Sequence, residues 1–244
     1  MFVNLDKKFG KEVHSVKIIK RLIIFIFVIF FILVTLIFFK GYKLYLDALK
    51  STTLEEKIST IKADNNYVFI NDLPEHYKNA VIAVEDRRFY SHGAIDFISI
   101  GRAIVTNIKQ KDLVEGGSTI TQQVAKNIFF TQKQEATRKI AEIFMAFYLE
   151  EHLSKDEILE LYVNTCYFGD GYYGIKEASE GYFHKSPINM TLDECTLIAG
   201  IPNAPSIYAP TKNPDLARKR QNHVIESMVE NGYLSKEQAY TIKE

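Results

Sequence analysis

Two adjacent carboxylates, Glu85 and Asp86, close a short apolar run that extends from Ala80 to Val84. A carboxylate at the end of an apolar helix is partly desolvated, which raises its affinity for a proton and suits a general base or acid. A solvated helix end, in which Glu85 pairs with Arg88 at i,i+3, is the plainer interpretation of the same residues. Taken alone, the pattern favours the plainer one.

A second candidate is the stretch from Gly116 to Asn127, in which glycines and hydroxyls lead into an apolar-periodic run. This is typical of a loop entering a helix N-terminus, where free N–H groups and the helix dipole attract anions such as phosphate. Ser118, Gln122 and Lys126 recur every four residues and form one polar stripe on that helix. A P-loop is excluded because its Gly-Lys-Ser/Thr ending is missing. A capped surface helix is the plainer alternative.

A third candidate is Glu142, the one charged residue between Ile140 and Leu149. A helix that is apolar all round is buried, and a lone buried carboxylate is costly unless it is paired. Arg138 at i−4 and Lys139 at i−3 can reach it. Because buried ion pairs contribute little to stability, the residues leave a structural and a functional role equally open.

These candidates follow an apolar segment from Leu22 to Phe39, eighteen residues without a charge. As a helix it covers about 27 Å, close to the hydrocarbon core of a bilayer. It lacks the small-residue exit of a cleaved signal peptide, and it leaves no polar face for a buried core helix. It therefore predicts a membrane-spanning helix. The excess of Lys and Arg before it predicts a cytoplasmic N-terminus and an extracytoplasmic remainder, although Lys40, Lys43 and Lys50 reduce the asymmetry.

The sequence divides into four segments: a cytoplasmic basic tail (1–21), a transmembrane helix (22–39), a stalk (40–70) and one domain (71–244). Long alternating strands are absent, so we expect a mainly α fold. Capping boxes begin helices at Ser154, Thr191 and Ser235.

Thirty basic and thirty acidic residues balance, which gives no support for a nucleic-acid partner. Two cysteines, Cys166 and Cys195, are too few for a disulfide scaffold, and the sequence leaves open whether they pair.

The segment from Phe97 to Leu113 has apolar residues at helical spacing, among them Ile100, Ile104 and Ile108. The simplest interpretation is an amphipathic helix that faces a core. In a protein tethered to a bilayer, such a helix can instead dip into the membrane interface.

Together these stretches resemble glycosyltransferase family 51, the peptidoglycan glycosyltransferases that occur alone or attached to penicillin-binding transpeptidases. Five family motifs occur in order between Glu85 and Ser179. They are E-D-x-x-F-x-x-H (Glu85, Asp86, Phe89, His92), G-x-S-T-I-T-Q-Q (116–123), R-K-x-x-E (Arg138, Lys139, Glu142), K-x-x-I-L-x-x-Y-x-N (155–164) and G-x-x-G-x-x-x-A-S (171–179).

The sequence departs from the family pattern at two places. Ala94 stands where the family usually has Gly, and Lys133 and Gln134 occupy a stretch that often contains an Arg. For the second reason, no phosphate-contacting Arg is transferred to that stretch.

The resemblance implies a mainly α, lysozyme-like domain that polymerises lipid II into β-1,4-linked glycan strands, with inversion and release of undecaprenyl pyrophosphate. It implies a single-pass cell-membrane protein, Mg²⁺ or Mn²⁺ as cofactor, and lipid II, the lipid-linked glycan chain and the membrane as partners, with cell-wall synthesis or division proteins as further candidates. No S-x-x-K transpeptidase motif follows, so we expect the monofunctional type.

The resemblance also implies roles for individual residues. Glu85 would act as the base on the acceptor hydroxyl, and Glu142 as the second catalytic carboxylate, acting through a divalent metal near the pyrophosphate, through Lys139, or as an acid. The other motif residues would bind substrate: Asp86, His92, Ser118, Thr121, Gln122, Gln123, Lys126, Arg138 and Lys139.

Two alternatives remain at this stage. Two carboxylates in a lysozyme-like fold also describe a glycoside hydrolase or a lytic transglycosylase, although a hydrolase has no use for Lys126 and Lys139 around a phosphate. A non-catalytic anchor that recruits cell-wall proteins would have no need of Glu85.

Overall fold

The structure, a computed structural model, describes residues 2–110, 116–130 and 136–243, with side chains from residue 19 onward except those of 110 and 243. The basic side chains predicted for the tail up to Lys17, the end of the 97–113 segment, and Lys133 with Gln134 lie outside the described residues. Within them the chain is helical and has no strand beyond one isolated bridge between Tyr167 and Tyr173. This confirms the mainly α fold.

The described residues form α-helices joined by short loops and 3-10 turns. In chain order they are α1 (Phe2–Ser51), α2 (Leu54–Lys62), α3 (Glu75–Glu85), α4 (Phe97–Gln110), α5 (Ile120–Phe129), α6 (Ala136–His152), α7 (Lys155–Thr165), α8 (Gly174–Phe183), α9 (Leu192–Gly200), α10 (Pro205–Tyr208), α11 (Pro214–Glu230) and α12 (Lys236–Lys243).

Helix α1 runs without a break from the predicted tail through the apolar segment and into the predicted stalk. Its portion Ile19–Ser51 is long and apolar enough to cross a membrane. The apolar side chains of this portion, such as Phe27 and Phe31, are exposed. A continuous apolar surface of this length is incompatible with water, and these are the properties of a single-pass membrane anchor.

The C-terminal part of α1 packs along α6 through an aromatic cluster. The rings of Phe38, Tyr42 and Tyr45 lie 5.5, 5.0 and 5.8 Å from the ring of Phe144. Such edge-to-face and tilted aromatic pairs add to the stabilisation from apolar burial. The beginning of the predicted stalk is therefore attached to α6, the helix that carries Glu142.

Close approach of α1 and α6 requires a glycine at position 41. A Cβ atom at Gly41 would lie 2.5 Å from Cβ of Ile140 and 2.7 Å from the carbonyl oxygen of Thr137. Real atoms do not approach so closely, so any side chain at this position pushes the two helices apart.

The domain core forms where α3 packs on α9 and α11, and α5 packs on α6 and α7. The apolar stripe predicted for α5 is buried, with Ile120 and Val124 fully enclosed. The predicted capping boxes at Ser154 and Thr191 are present, and Ser235 exchanges the equivalent hydrogen bonds with Gln238. These local contacts fix where the helices begin.

We expect Gly41→Leu to lower the free energy of unfolding by about 1 to 3 kcal/mol, because the new side chain overpacks the contact between α1 and α6. Thermal unfolding of the full chain in detergent measures this. Gly101→Ala is the control, since a Cβ at Gly101 meets no atom within 4 Å. Equal stability of wild type and Gly41→Leu would contradict the tight docking of α1.

Candidate functional site

A cleft of about 330 Å³ opens between the C-terminal end of α3, the N-terminal half of α5 and one face of α11. The start of α4 closes one side. The side chains that line it are mostly polar or charged, and they include Glu85, Asp86, Asp96, Ser99, Arg102, Ser118, Thr119, Gln123, Lys126, Arg220, His223, Ser227 and Glu230.

Glu85 is the last residue of α3 and lies inside the cleft with 9% of its side chain exposed. The buried apolar residues that precede it hold the helix in the core, so the chain delivers the carboxylate to the cleft where the helix ends. One oxygen, Oε2, accepts a hydrogen bond of 2.7 Å from Nε2 of Gln123. The other, Oε1, lies 3.9 Å from Nη2 of Arg220. The predicted pair with Arg88 is absent, because Arg88 binds Asp96 instead.

Asp86 connects α3 to the start of α5. Its Oδ2 accepts a hydrogen bond of 3.0 Å from the backbone N–H of Ile120, and its Oδ1 lies 2.6 Å from Nε2 of His92. Burial alone would lower the pKa of His92, but the hydrogen bond to Asp86 and its negative charge outweigh burial and raise that pKa above 6.5. Both oxygens of Asp86 are thus engaged in holding the cleft together.

Asp96 begins α4 and fixes it to the same loop. Its carboxylate binds Nε and Nη2 of Arg88 at 3.0 and 2.5 Å and accepts hydrogen bonds from the backbone and hydroxyl of Ser99. Burial favours protonation of Asp96, yet Arg88 and Ser99 together hold its pKa well below the usual range. The carboxylate therefore stays ionised and serves as the N-cap of α4.

Lys139 links α6 to the polar stripe of α5. Its Nζ donates to Oγ of Ser118 at 2.8 Å and to Oε1 of Gln122 at 3.2 Å. The buried Glu142 lies 2.8 Å from Nε of Arg138 and 3.2 Å from Nζ of Lys139. Glu142 does not line the cleft, and its contact with Lys139 connects it to Ser118, which does.

Thr121 lies on the opposite side of α5 and is fully buried. Its hydroxyl donates to Oε1 of Glu150, which also accepts from Nζ of Lys155. Because Lys155 stacks over the ring of Phe89, this network joins three of the sequence motifs behind the cleft. Thr121 thus contacts protein groups and does not face the cleft.

The predicted site residues therefore fall into three groups, and their roles stay predictions. Five of them line the cleft: Glu85, Asp86, Ser118, Gln123 and Lys126. Four form the network behind it: Gln122, Arg138, Lys139 and Glu142. Two contact only the surrounding protein: His92 and Thr121.

The described carboxylates do not fit a protein-only site for Mg²⁺ or Mn²⁺. The side chains of Asp86, His92 and Asp96 lie within 4.8 Å of one another, but their ligand atoms already bind each other, Arg88 and backbone groups. Glu142 faces two cations. A hard divalent cation needs several free oxygen ligands, which neither place offers.

One wall of the cleft comes from α11, which the motifs do not include. Arg220, His223, Ser227 and Glu230 follow helical spacing on one face, which adjoins the buried face that carries Val224. The polar stripe is visible in the sequence, but most amphipathic helices carry a similar stripe toward solvent. Only the packing of α11 on α3 shows that this one faces Glu85.

Comparison with known proteins gives a family match. The family model described as Transglycosylase matches residues 53–229. A protein of Cupriavidus necator named as a candidate transglycosylase is 41% identical over 181 residues, which cover 74% of this chain and 78% of that protein. Penicillin-binding protein 1F of Bacillus subtilis is 44% identical over 76% of this chain and 26% of its own length. Penicillin-binding protein 1A of Aquifex aeolicus is 44% identical over 70% and 24%. The chain spans about a quarter of the length of both penicillin-binding proteins.

We expect the contribution of His92 to stability to depend on pH. Because its pKa is raised in the folded state, the stabilisation is fully present below about pH 6.5 and is lost as pH rises through the raised value. His92→Gln should therefore cost about 1.5 to 3 kcal/mol at acidic pH, the usual range for a hydrogen bond to a charged group, and less at alkaline pH. Thermal unfolding in detergent at about pH 5.5 and 8.5 tests this. A pH-independent difference would contradict the pairing with Asp86.

Proposed function

The chain belongs to the transglycosylase family, and on that premise we propose that it is a peptidoglycan glycosyltransferase that polymerises lipid II into β-1,4-linked glycan strands. The observation that carries the proposal is the pairing, in one cleft, of a nearly buried carboxylate with several cationic side chains. Glu85 supplies the carboxylate, and Lys126 and Arg102 are among the cations. A glycosyl transfer that expels pyrophosphate needs both a base and a cationic surface.

In the proposed reaction the 4-hydroxyl of the acceptor sugar attacks the anomeric carbon of the lipid-linked donor. Glu85 takes the hydroxyl proton, and the electron pair of the breaking C–O bond leaves with undecaprenyl pyrophosphate. A single in-line displacement of this kind inverts the configuration. The hydrogen bond from Gln123 fixes the orientation of the Glu85 carboxylate before the acceptor arrives.

We propose that side chains, more than the N-terminus of α5, neutralise the pyrophosphate. The N–H of Ile120 already binds Asp86, and the N–H of Gln122 already binds the hydroxyl of Thr119. These bonds reduce the capacity of the terminus to hold an anion. Lys126 lies in the cleft and Lys139 behind Ser118, which supports a cationic side-chain surface for the leaving group.

We propose that the Mg²⁺ or Mn²⁺ implied by the family enters bound to the pyrophosphate of the substrate. Phosphate oxygens are the ligands that such a cation prefers, and the described carboxylates offer no comparable set. When bound, the cation would add positive charge beside the leaving group.

A glycoside hydrolase or lytic transglycosylase is the alternative from another reaction class. An inverting hydrolase needs a second carboxyl group free to protonate or to activate water on the other side of the scissile bond. Glu142, the second predicted carboxylate, is buried between Arg138 and Lys139 outside the cleft. This arrangement supports transfer to a sugar acceptor over hydrolysis.

We propose that the domain lies outside the cytoplasmic membrane and rests on the bilayer through α4. Phe97, Ile98, Ile104, Val105 and Ile108 of this helix are between 51% and 75% exposed, and α4 also borders the cleft. An apolar helix face of this kind inserts into a membrane interface. The lipid-linked substrates would then reach the cleft without leaving the bilayer. Cell-wall synthesis or division proteins remain predicted partners.

Replacing the proposed base tests the function. We expect Glu85→Gln to reduce polymerisation of purified lipid II by a factor of about a hundred to ten thousand, the usual contribution of a general base. Gel analysis of the glycan strands formed by the full chain in detergent with Mg²⁺ measures this. Glu180→Gln, an exposed carboxylate on α8, is the matched control and should keep wild-type activity.

The same assay separates the alternatives. Cleavage of preformed strands by the wild type, without polymerisation, would establish the hydrolase. Wild-type strand formation by Glu85→Gln would remove Glu85 from the mechanism. Absence of both activities in the wild type would favour an anchor that recruits other proteins.

A cysteine introduced at Ile108 tests the membrane contact. Cys166 and Cys195 are buried, and burial raises the pKa of each thiol to about 12, so a maleimide fluorophore labels the introduced thiol selectively. In nanodiscs we expect brominated lipid to quench a label at Ile108→Cys at least about twofold more than one at the exposed control Lys236→Cys. Equal quenching at the two positions would contradict the contact.

A further inference from the structure

Arg220 of α11 is held against α9 and α10 by contacts that leave it little freedom. Its side chain is 12% exposed, its Nε donates to the carbonyl oxygen of Gly200 at 3.4 Å, and its guanidinium lies 5.9 Å from the centre of the Tyr208 ring. A Cβ atom at Gly200 would lie 2.9 Å from Cγ of Arg220. Because no side chain is present at position 200, the stem of Arg220 can lie directly on α9.

A nearly buried guanidinium requires a nearby anion, and Arg220 faces the candidate base. Its Nη2 lies 3.9 Å from Oε1 of Glu85, within the range of an ion pair but beyond that of a hydrogen bond. Oε1 is buried and has no hydrogen-bond partner, whereas Oε2 is held by Gln123. A positive charge at this separation stabilises the ionised carboxylate without occupying the lone pairs of Oε1.

A general base has two requirements that usually conflict. It must be ionised before the reaction, and it must keep a lone pair free to accept the proton. A hydrogen-bonded salt bridge keeps a carboxylate ionised, but it also occupies the lone pair that must accept the proton. The long contact between Arg220 and Glu85 meets both.

We propose that Arg220 is a positioning residue for the reaction, whose positive charge beside the Glu85 carboxylate holds that carboxylate in place while leaving its proton-accepting oxygen free. This inference rests on the proposed function of Glu85. It gives Arg220 a role distinct from binding substrate phosphate, because its partner is the base on α3.

Other groups that face Glu85 act differently from Arg220. Asp86 is bonded to His92 and to the backbone N–H of Ile120, and Asp96 is paired with Arg88. Burial raises the pKa of the phenols and the thiol behind the cleft, so they stay uncharged over the working range: Tyr77, Tyr162 and Cys166. The remaining charged or titratable neighbours are Arg87, Arg102, Lys126, His223 and Glu230, all of which line the cleft.

The test is the pH dependence of lipid II polymerisation by the full chain in detergent, with kcat and KM measured separately. In Arg220→Gln we expect the acidic limb of the kcat/KM profile to move to higher pH by about one unit, because the positive charge 3.9 Å from the Glu85 carboxylate is lost. Below the limb, kcat/KM should fall about tenfold. The loss should appear in kcat, with KM changed by less than about twofold.

Three further variants keep the test independent of folding. Arg220→Lys preserves the charge and most of the stem, so it should restore most of the limb position. Gly200→Ala removes no polar group but pushes on the stem of Arg220, so it should move the limb in the same direction by a smaller amount. Arg218→Gln makes the same charge change on α11, where Arg218 pairs with Asp193, and it should leave the limb in place.

Several outcomes would overturn the inference. A higher KM with an unmoved acidic limb in Arg220→Gln would make Arg220 a substrate contact. If the acidic limb moves as far in Arg218→Gln as in Arg220→Gln, the shift comes from the change in net charge and not from the position of Arg220. If Arg220→Gln no longer shifts the acidic limb when His223→Gln is also present, the group that titrates in this limb is His223. If the wild type fails to polymerise lipid II, the proposed function itself is refuted. If the wild type is active and Glu85→Gln is inactive, but the acidic limb of Arg220→Gln does not move, only this inference is refuted.

Discussion

The cleft depends on one buried carboxylate, that of Asp86, which joins the end of α3 to the start of α5. One oxygen holds the first backbone N–H of α5 and the other holds His92. A buried carboxylate is costly unless both oxygens are satisfied, so this bonding strongly favours one arrangement of the two helices. That arrangement places Glu85, the residue before Asp86, opposite Gln123 and Lys126 of α5. The two adjacent carboxylates thus differ in their contacts: Asp86 holds the two helices together, and Glu85 faces the cleft.

The carboxylates in and behind the cleft differ in how completely they are paired with cations and hydrogen-bond donors. This difference bears on which of them is available to accept a proton. Asp96 is fully bonded to Arg88 and Ser99, and Glu142 is enclosed by Arg138 and Lys139. These carboxylates are committed to positioning other groups. Glu85 has one neutral hydrogen bond and one distant cation, so its bonding capacity is only partly used. This partly used bonding capacity supports the proposed role of Glu85 as the base.

How much could be predicted from the sequence depends on the distance over which each interaction is specified. The capping boxes and the pairing of Glu142 with Arg138 and Lys139 act within one helical turn, so spacing alone predicts them. The partner of Arg88 could not be predicted in the same way, because Asp96 lies beyond the end of α3 and meets Arg88 only after the chain turns. The face of α11 that lines the cleft depends on packing between distant helices, and no local pattern encodes it. Resemblance located the motif residues, but geometry separated those that line the cleft from those, such as Thr121, that support it.

The anchor is the last element that the geometry connects to the site. Helix α1 is continuous from the apolar span to its contact with α6, and Gly41 brings the two helices together a single residue from Lys139, at Ile140. A rigid helix fixes the height of its far end above the bilayer, because it rises 1.5 Å per residue without a flexible joint. Lys139 in turn binds Ser118 and Gln122 on the stripe beside the cleft. The membrane position of the anchor is thereby transmitted through α6 to the polar stripe of α5. A flexible stalk would leave that height undefined, whereas this contact sets the polar stripe at one depth relative to the membrane.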